Sequence, residues 1–334
     1  PRGTEVASSG LGIASARLYG SELQYQFDRK VLDVPRKATS KEEVRAFWET
    51  LSTTDHRLIL EQAKVTQGEL GLNDWGYLQL LSRVGEAIYG PSDDRASLFL
   101  WFMLCKSGYD ARVSYSDRGV TILLPARQVL YKIPFVRLNG ARFYAVAGSS
   151  PGKIDGRLFT CDAQYPGAEA PLDMTLTGPP QVGGKVQSKT LTFSYRGENF
   201  SLPVLMEAGA LEFYSDYPPT DLAVYFKAEP SGTAAESMGE ELRRVLKGKT
   251  ERESVGLLLR LVQTAFAYQV DREQFGRERT LFSEETLAFP YSDCEDRAIL
   301  FSYLVRSALG LEVIGLAYPG HVATGVALNS GSIG

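Results

Sequence analysis

The sequence contains few residues of the kinds that carry redox, metal and acid–base chemistry, with three cysteines and two histidines in 334 residues. Three cysteines do not make a disulfide framework, since one bridge is possible and an odd thiol would remain. No segment approaches the roughly 18 apolar residues that a membrane helix requires. The net charge of −4 is small, so neither nucleic acid nor an anionic membrane surface is indicated as a partner.

The remaining composition, 44% hydrophobic and 23% charged, is that of an ordinary globular protein. The chain starts at Pro1 rather than at methionine and shows no signal-peptide pattern, so the compartment cannot be read directly. From that start and the layered β-rich architecture predicted below, we expect a secreted or periplasmic setting. Nothing in the sequence indicates an oligomeric state.

The first 108 residues are mostly helical by pattern, after an extended lead-in with a strand at 23–27. Four helices are predicted there, beginning after Ser40, Asp55, Asn73 and the turn at 90–93. Strand patterns follow at 110–124, and residues 135–146 resemble a hairpin that turns at Asn139-Gly140. Short β-rich runs between about 189 and 228 indicate a small β-sandwich or half-barrel. Helical patterning returns from about Ala235.

An internal repeat organises this pattern. Residues 91–99 match residues 293–301 at a constant offset, which pairs Asp94-Arg95-Ala96 with Asp296-Arg297-Ala298. In each copy a helix precedes the match and strands follow it. We therefore predict an α+β fold with two related domains around a β-rich one. The boundaries are 1–170, 171–232 and 233–334.

The second copy contains a candidate thiol nucleophile, Cys294, where a loop becomes a helix. Unpaired amide N–H groups in a first helical turn lower a thiol pKa and can receive an oxyanion, although the acidic neighbours of Cys294 act against the first effect. His321 opens a strand about two elements later and can take the thiol proton. A cysteine is more often a small buried apolar residue, and that interpretation suits Cys105. We predict no metal site, because no second Cys or His lies within ligand spacing of Cys294.

The segment Ser-Asp-Cys-Glu-Asp-Arg-Ala-Ile-Leu-Phe, then Leu-Gly-Leu, then Gly-His-Val-Ala-Thr, resembles the core of the transglutaminase-like (papain-related) cysteine enzymes. The resemblance covers roughly residues 280–328. It places Cys294 on the nucleophile and His321 on the base, and it implies a helix packed on an antiparallel sheet. The family includes acyltransferases, deamidases, peptidases and members without known activity.

Two departures from the family pattern limit the expectation of a complete set of catalytic residues. The third residue of the family's catalytic triad is an Asp on the next strand. It is expected here beyond Gly334, so we expect the domain to be truncated. In the first copy, Ser92 stands at the Cys position and Gly119 at the His position. The third position falls on Ala147, or on Asp162 in a different alignment. That copy is interpreted as degenerate.

The sequence favours a thiol enzyme that hydrolyses amides or transfers acyl groups through a Cys294 thioester, with a peptide or protein substrate and no cofactor. One alternative is a non-catalytic scaffold that binds a peptide or glycan. A weaker alternative is a protein–protein interaction module. Fold-level resemblance does not specify the substrate.

Overall fold

The computed structural model describes residues 10–36, 40–116, 119–148, 159–160 and 165–329. Of the described residues, 43% are helical and 26% lie in strands, and the sheets pack against helices, so the fold is mixed α/β. It forms two compact units: unit 1 comprises Pro1–Leu18 and Glu22–Met174, and unit 2 comprises Tyr19–Ser21 and Thr175–Gly334. The sequence pattern had predicted three domains.

Unit 1 begins with a β-hairpin, continues with four helices and ends in a sheet. Its elements are β1 (Leu11–Leu18), β2 (Ser21–Asp28), α1 (Lys41–Ser52), α2 (Arg57–Glu69), α3 (Asp74–Tyr89), α4 (Asp94–Lys106), β3 (Arg112–Ser116), β4 (Gly119–Leu124), β5 (Phe135–Leu138), β6 (Ala141–Gly148) and β7 (Phe159–Thr160). The last five strands form one sheet in the order β5-β6-β4-β3-β7. Helix α4 is buried from Ala96 to Cys105, because its nearly unbroken apolar sequence leaves no polar face for solvent.

The helix starts in unit 1 test the capping predictions. Ser40 and Glu43 form a capping box at α1, and the Asn73 side chain accepts the Gly76 N–H at α3, which confirms both starts. Asp55 was the wrong choice for α2. That helix begins at Arg57 without a side-chain cap, and the Asp55 N–H donates to the Asp28 carboxylate at 3.2 Å.

Unit 2 consists of a long hairpin, a series of helices and a short C-terminal hairpin. Its elements are β8 (Val186–Tyr195), β9 (Glu198–Glu207), α5 (Ala208–Asp216), α6 (Leu222–Lys227), α7 (Gly232–Leu246), α8 (Glu251–Thr264), β10 (Ala267–Tyr268), α9 (Asp271–Gln274), α10 (Ser283–Ala288), β11 (Tyr291–Ser292), α11 (Cys294–Leu309), β12 (Val313–Tyr318) and β13 (His321–Val326). Among the described residues, no helix is both long and apolar enough to cross a bilayer.

The prediction of a β-sandwich over 189–228 is wrong. Strands β8 and β9 form a single hairpin, and residues 208–227 form α5 and α6. The apolar face of the hairpin, with Phe193 and Val204 on it, joins one core with α7, α8 and α11, so it needs no second sheet. The turn signal at Ala208-Gly209 marks the start of a helix rather than a strand connection.

The sequence repeat corresponds to a repeated arrangement of a helix pair followed by a hairpin. Helices α3 and α4 precede β3–β4 in unit 1, and α8 and α11 precede β12–β13 in unit 2. The hairpin registers agree at the offset of the sequence match, since Ser116 pairs with Gly119 as Tyr318 pairs with His321. The surroundings differ: β4 also pairs with β6, whereas β12–β13 is a two-stranded sheet in the described part of the chain.

The N-terminus of α7 depends on a buried carboxylate. Glu284, which has no exposed surface, accepts hydrogen bonds from the Ser231 N–H at 2.7 Å, the Ser231 hydroxyl at 2.9 Å and the Glu207 N–H at 3.3 Å. Glu284→Ala would leave these donors buried without an acceptor, so we expect unit 2 to lose about 2–4 kcal/mol of unfolding free energy. Glu284→Gln keeps one acceptor oxygen and should lose less.

Urea denaturation followed by far-UV circular dichroism measures this loss. Tryptophan fluorescence is a built-in control, because Trp48, Trp75 and Trp101 all belong to unit 1. A Glu284→Ala transition that coincides with the wild-type one would contradict the assigned role.

Candidate thiol site

A capping box holds Cys294 in the first turn of α11. The Asp293 carboxylate faces the Asp296 N–H at 3.5 Å, and the Asp296 carboxylate accepts the Asp293 N–H at 3.3 Å. Asp296 is fully buried and also accepts the Leu281 N–H at 2.8 Å, which ties the helix start to the segment before α10. Cys294 is thereby fixed as the first residue of a 16-residue helix.

The Cys294 thiol has two neighbours that act on it in opposite directions. Its Sγ donates to Glu295 Oε2 at 3.1 Å, and it accepts a hydrogen bond from the Val322 backbone N–H. Burial raises the pKa of the Cys294 thiol, the Val322 N–H lowers it, and the Glu295 and Asp293 carboxylates raise it further. The net pKa is above the ordinary value, so at neutral pH the group is a thiol rather than a thiolate.

His321 and Cys294 lie on the wall of the same cleft, which has a volume of about 370 Å³. His321 is the first residue of β13, it is exposed, and it pairs across the hairpin with Tyr318. The sequence placed a Cys at a helix start and a His at a strand start, and the structure brings these two positions together. Glu295 and the Val322 N–H were not predicted as partners of the thiol, since sequence spacing does not report side-chain direction or strand register.

The lining of the cleft also contains a cation–aromatic pair. The Arg297 guanidinium lies over the Tyr268 ring, 5.1 Å from its centroid. Arg297 Nε donates to Ser292 Oγ, and Nη2 donates to the Phe266 carbonyl oxygen, both at 3.0 Å. Arg297 therefore fixes the strand segments before α11 and also forms part of the cleft surface.

Three carboxylates gather beneath the start of α11. Oxygen atoms of Asp271, Asp293 and Asp296 lie within 4.8 Å of one another, and all three residues are buried. Burial, followed by the Glu295 and Asp271 charges, raises the pKa of Asp293 to about 7, and burial raises that of Asp296 well above its ordinary value. Because Asp293 and Asp296 also cap each other, we interpret the cluster as one that shares protons rather than as a metal centre.

In the described part of unit 1, the corresponding positions carry residues without a thiol or an imidazole. Ser92 precedes the Asp93 cap of α4 in a left-handed conformation, with φ of 61°. Gly119 begins β4, and Ala147 lies on β6 opposite Ile122. Asp162 is outside the described residues.

Another residue of unit 1 contacts the matching valine N–H. The Val120 N–H, which matches the Val322 N–H in the repeat, donates to Asp94 Oδ1 at 3.2 Å. Asp94 is the first residue of α4, as Cys294 is of α11. In the ungapped sequence match Ser92 aligns with Cys294. Helix α4 begins at Asp94, however, which lies two residues after the position that aligns with the first residue of α11.

No protein-family model, curated protein or solved structure matches this chain.

Removing the Glu295 charge should lower the pKa of Cys294. In Glu295→Gln the thiol keeps its burial and its Val322 N–H donor but loses the adjacent carboxylate, so thiolate formation becomes easier. The measurement is the rate of Cys294 alkylation by iodoacetamide against pH, followed by mass spectrometry of the Cys294 peptide. Glu312→Gln, at an exposed position after α11, is the control with the same charge change. Coincident profiles for Glu295→Gln and wild type would rule out the carboxylate effect.

The raised pKa of Asp293 makes the stability of unit 2 depend on pH. The folded state binds the Asp293 proton more tightly than the unfolded chain does, so the contribution of Asp293 to stability is full below the ordinary Asp pKa and is lost as pH rises through about 7. Asn at 293 can still cap α11 but does not titrate, so Asp293→Asn should flatten this fall. Urea denaturation by circular dichroism at about pH 5 and about pH 8 compares the two proteins. The same fall in both would assign the effect to other groups.

Proposed function

We propose that unit 2 is a thiol enzyme of the transglutaminase-like type that acts on peptide or protein amides. The observation that carries the proposal is the common cleft of Cys294, at the start of a long helix, and His321, at the start of a strand. A thiol and an imidazole in one open cleft are the groups that acyl transfer requires.

In the proposed reaction His321 acts as a general base. Its imidazole takes the thiol proton as Sγ attacks the amide carbonyl carbon, and the carbonyl π electrons move to the oxygen. The amide N–H groups of a first helical turn have no intrahelical acceptor, so those of Cys294 and Glu295 can donate to this oxyanion. Collapse expels the amine, which receives the proton from His321, and leaves a thioester. Water gives hydrolysis, and a second amine gives acyl transfer.

The resting pKa of Cys294 favours this order of events over a preformed ion pair. A half-buried thiol beside Glu295 is neutral until the proton is removed, so its deprotonation must accompany attack. The same observation supports the competing proposal, a non-catalytic scaffold whose cleft binds a peptide or glycan. A thiol held by a carboxylate can persist in such a scaffold without chemistry.

Acylation by a short peptide p-nitrophenyl ester distinguishes the two proposals. We expect a burst of nitrophenolate and a matching mass increase on the Cys294 peptide. His321→Ala should slow acylation by about 100-fold or more, since general-base assistance is worth roughly 10²–10⁴-fold. His56→Gln is the matched control, because His56 is the chain's second histidine and lies at the start of α2 in unit 1.

Cys105 provides an internal reference in the same experiment. It is buried in α4, and burial raises its pKa to about 12, so it should remain unmodified. If Cys294 is acylated no faster than Cys105, or if His321→Ala reacts like wild type, the scaffold proposal is the correct one.

A further inference from the structure

Two adjoining cavities in unit 2 lie outside the thiol cleft. One, of about 720 Å³, lies between α6, α11 and the β12–β13 hairpin, and the other, of about 740 Å³, lies between α7, α8 and α11. Both are lined by Tyr303 and Ser307 of α11, so the two cavities meet at these residues and are taken together as one groove along the helix. We call it the α11 groove.

The first half of the α11 groove is apolar. Side chains from α6 and from the hairpin line it, among them Phe226, Val313 and Leu316. The Phe226 ring lies against Gly315, where an added Cβ would meet the ring at 3.0 Å, so ring and strand backbone form a continuous surface. At the junction of the two halves, the Ser307 hydroxyl donates to the Leu304 carbonyl oxygen at 3.3 Å. The walls of this half therefore suit a hydrocarbon chain better than a peptide backbone, whose polar groups would lose their water.

The second half of the α11 groove is basic. Arg243, Lys247 and Lys249 line it, and its carboxylate, Glu251, accepts hydrogen bonds from the Asn329 N–H at 2.8 Å and the Asn329 amide at 3.3 Å. The apolar half adds Lys227 and Arg306, with Glu229 as the opposing charge. Cations thus outnumber carboxylates along the groove, in a chain whose net charge is −4.

The Arg306 guanidinium can donate a hydrogen bond to an additional acceptor. It is half-buried, and one of its nitrogens, Nη2, donates to the Phe226 carbonyl oxygen at 2.6 Å. A guanidinium has five N–H donors, so others remain for a ligand.

We propose that the α11 groove binds a single-chain anionic amphiphile, with its hydrocarbon chain against Phe226 and Leu316 and its headgroup against Arg243, Lys247 and Lys249. The cavity volumes are in the range of small-molecule sites, which combine apolar walls with a few charged groups. The occupant follows from charge complementarity at one end and apolar walls at the other. The site is separate from the Cys294 cleft, so binding does not require that Cys294 be catalytic.

Isothermal titration calorimetry of the whole chain with dodecyl phosphate, below its micelle concentration, tests the proposal. We expect one molecule per chain. Inorganic phosphate lacks the chain and dodecyltrimethylammonium reverses the charge, so each should bind at least about tenfold more weakly.

Variants of each half assign the site. The charge reversals Arg243→Glu and Lys247→Glu, made together at exposed positions, should weaken binding of dodecyl phosphate by about tenfold or more. Ala223→Trp, on the exposed side of α6, should fill the apolar half and so weaken the binding of dodecyl phosphate as well. Arg137→Glu with Arg277→Glu is the control, because it makes the same change in net charge away from the groove.

Three outcomes would overturn the proposal. The first is an affinity for dodecyl phosphate that neither groove variant changes. The second is the binding of many dodecyl phosphate molecules per chain. The third is an acidic peptide that binds in the groove while dodecyl phosphate does not, which would assign the groove to a protein partner. Circular dichroism of each variant identifies any loss of affinity that comes from unfolding.

Discussion

The buried carboxylate of Asp296 is the constraint on which the C-terminal half of unit 2 depends. One of its oxygens takes the Leu281 N–H and the other takes the Asp293 N–H, so a single side chain fixes both the segment before α10 and the first turn of α11. The direction of α11 then determines where Cys294 points and where the β12–β13 hairpin packs. A carboxylate placed here has no solvent exposure, and the two amide donors offset part of its desolvation.

The comparison of the two units separates what the scaffold needs from what chemistry needs. Both units pack a helix against its predecessor and direct a valine N–H from the following hairpin toward the first residue of that helix. In unit 1 the acceptor is the Asp94 carboxylate, which forms a charge-assisted hydrogen bond but cannot become a thioester. In unit 2 the acceptor is a sulfur. The strand-to-helix hydrogen bond is therefore a structural element in its own right, and the thiol of Cys294 occupies a position that a carboxylate can fill.

Local patterns predicted the starts of α1 and α3 and the position of Cys294 at a helix start, because these features depend on nearest neighbours. Ser40 with Glu43 and Asn73 with Gly76 identify helix starts from residues three positions apart. The hairpin at Asn139-Gly140 was predictable because both residues adopt positive φ, which these two types tolerate. The elements that pack on the apolar face of the β8–β9 hairpin were not predictable, since that face is compatible with either a second sheet or helices. The partners of the thiol, Glu295 and the Val322 N–H, depend on tertiary packing in the same way.

Val322 belongs to both cavities of unit 2 that the β12–β13 hairpin borders. It lines the apolar half of the α11 groove, it lines the cleft of Cys294, and its N–H is the donor to the sulfur. The hairpin thus borders both cavities, and Val322 is common to their linings. An occupant that displaces this strand on one face changes the distance between amide and sulfur on the other, and thermodynamic linkage makes that influence mutual. The strand that borders the α11 groove is therefore also the strand whose backbone acts on the Cys294 thiol.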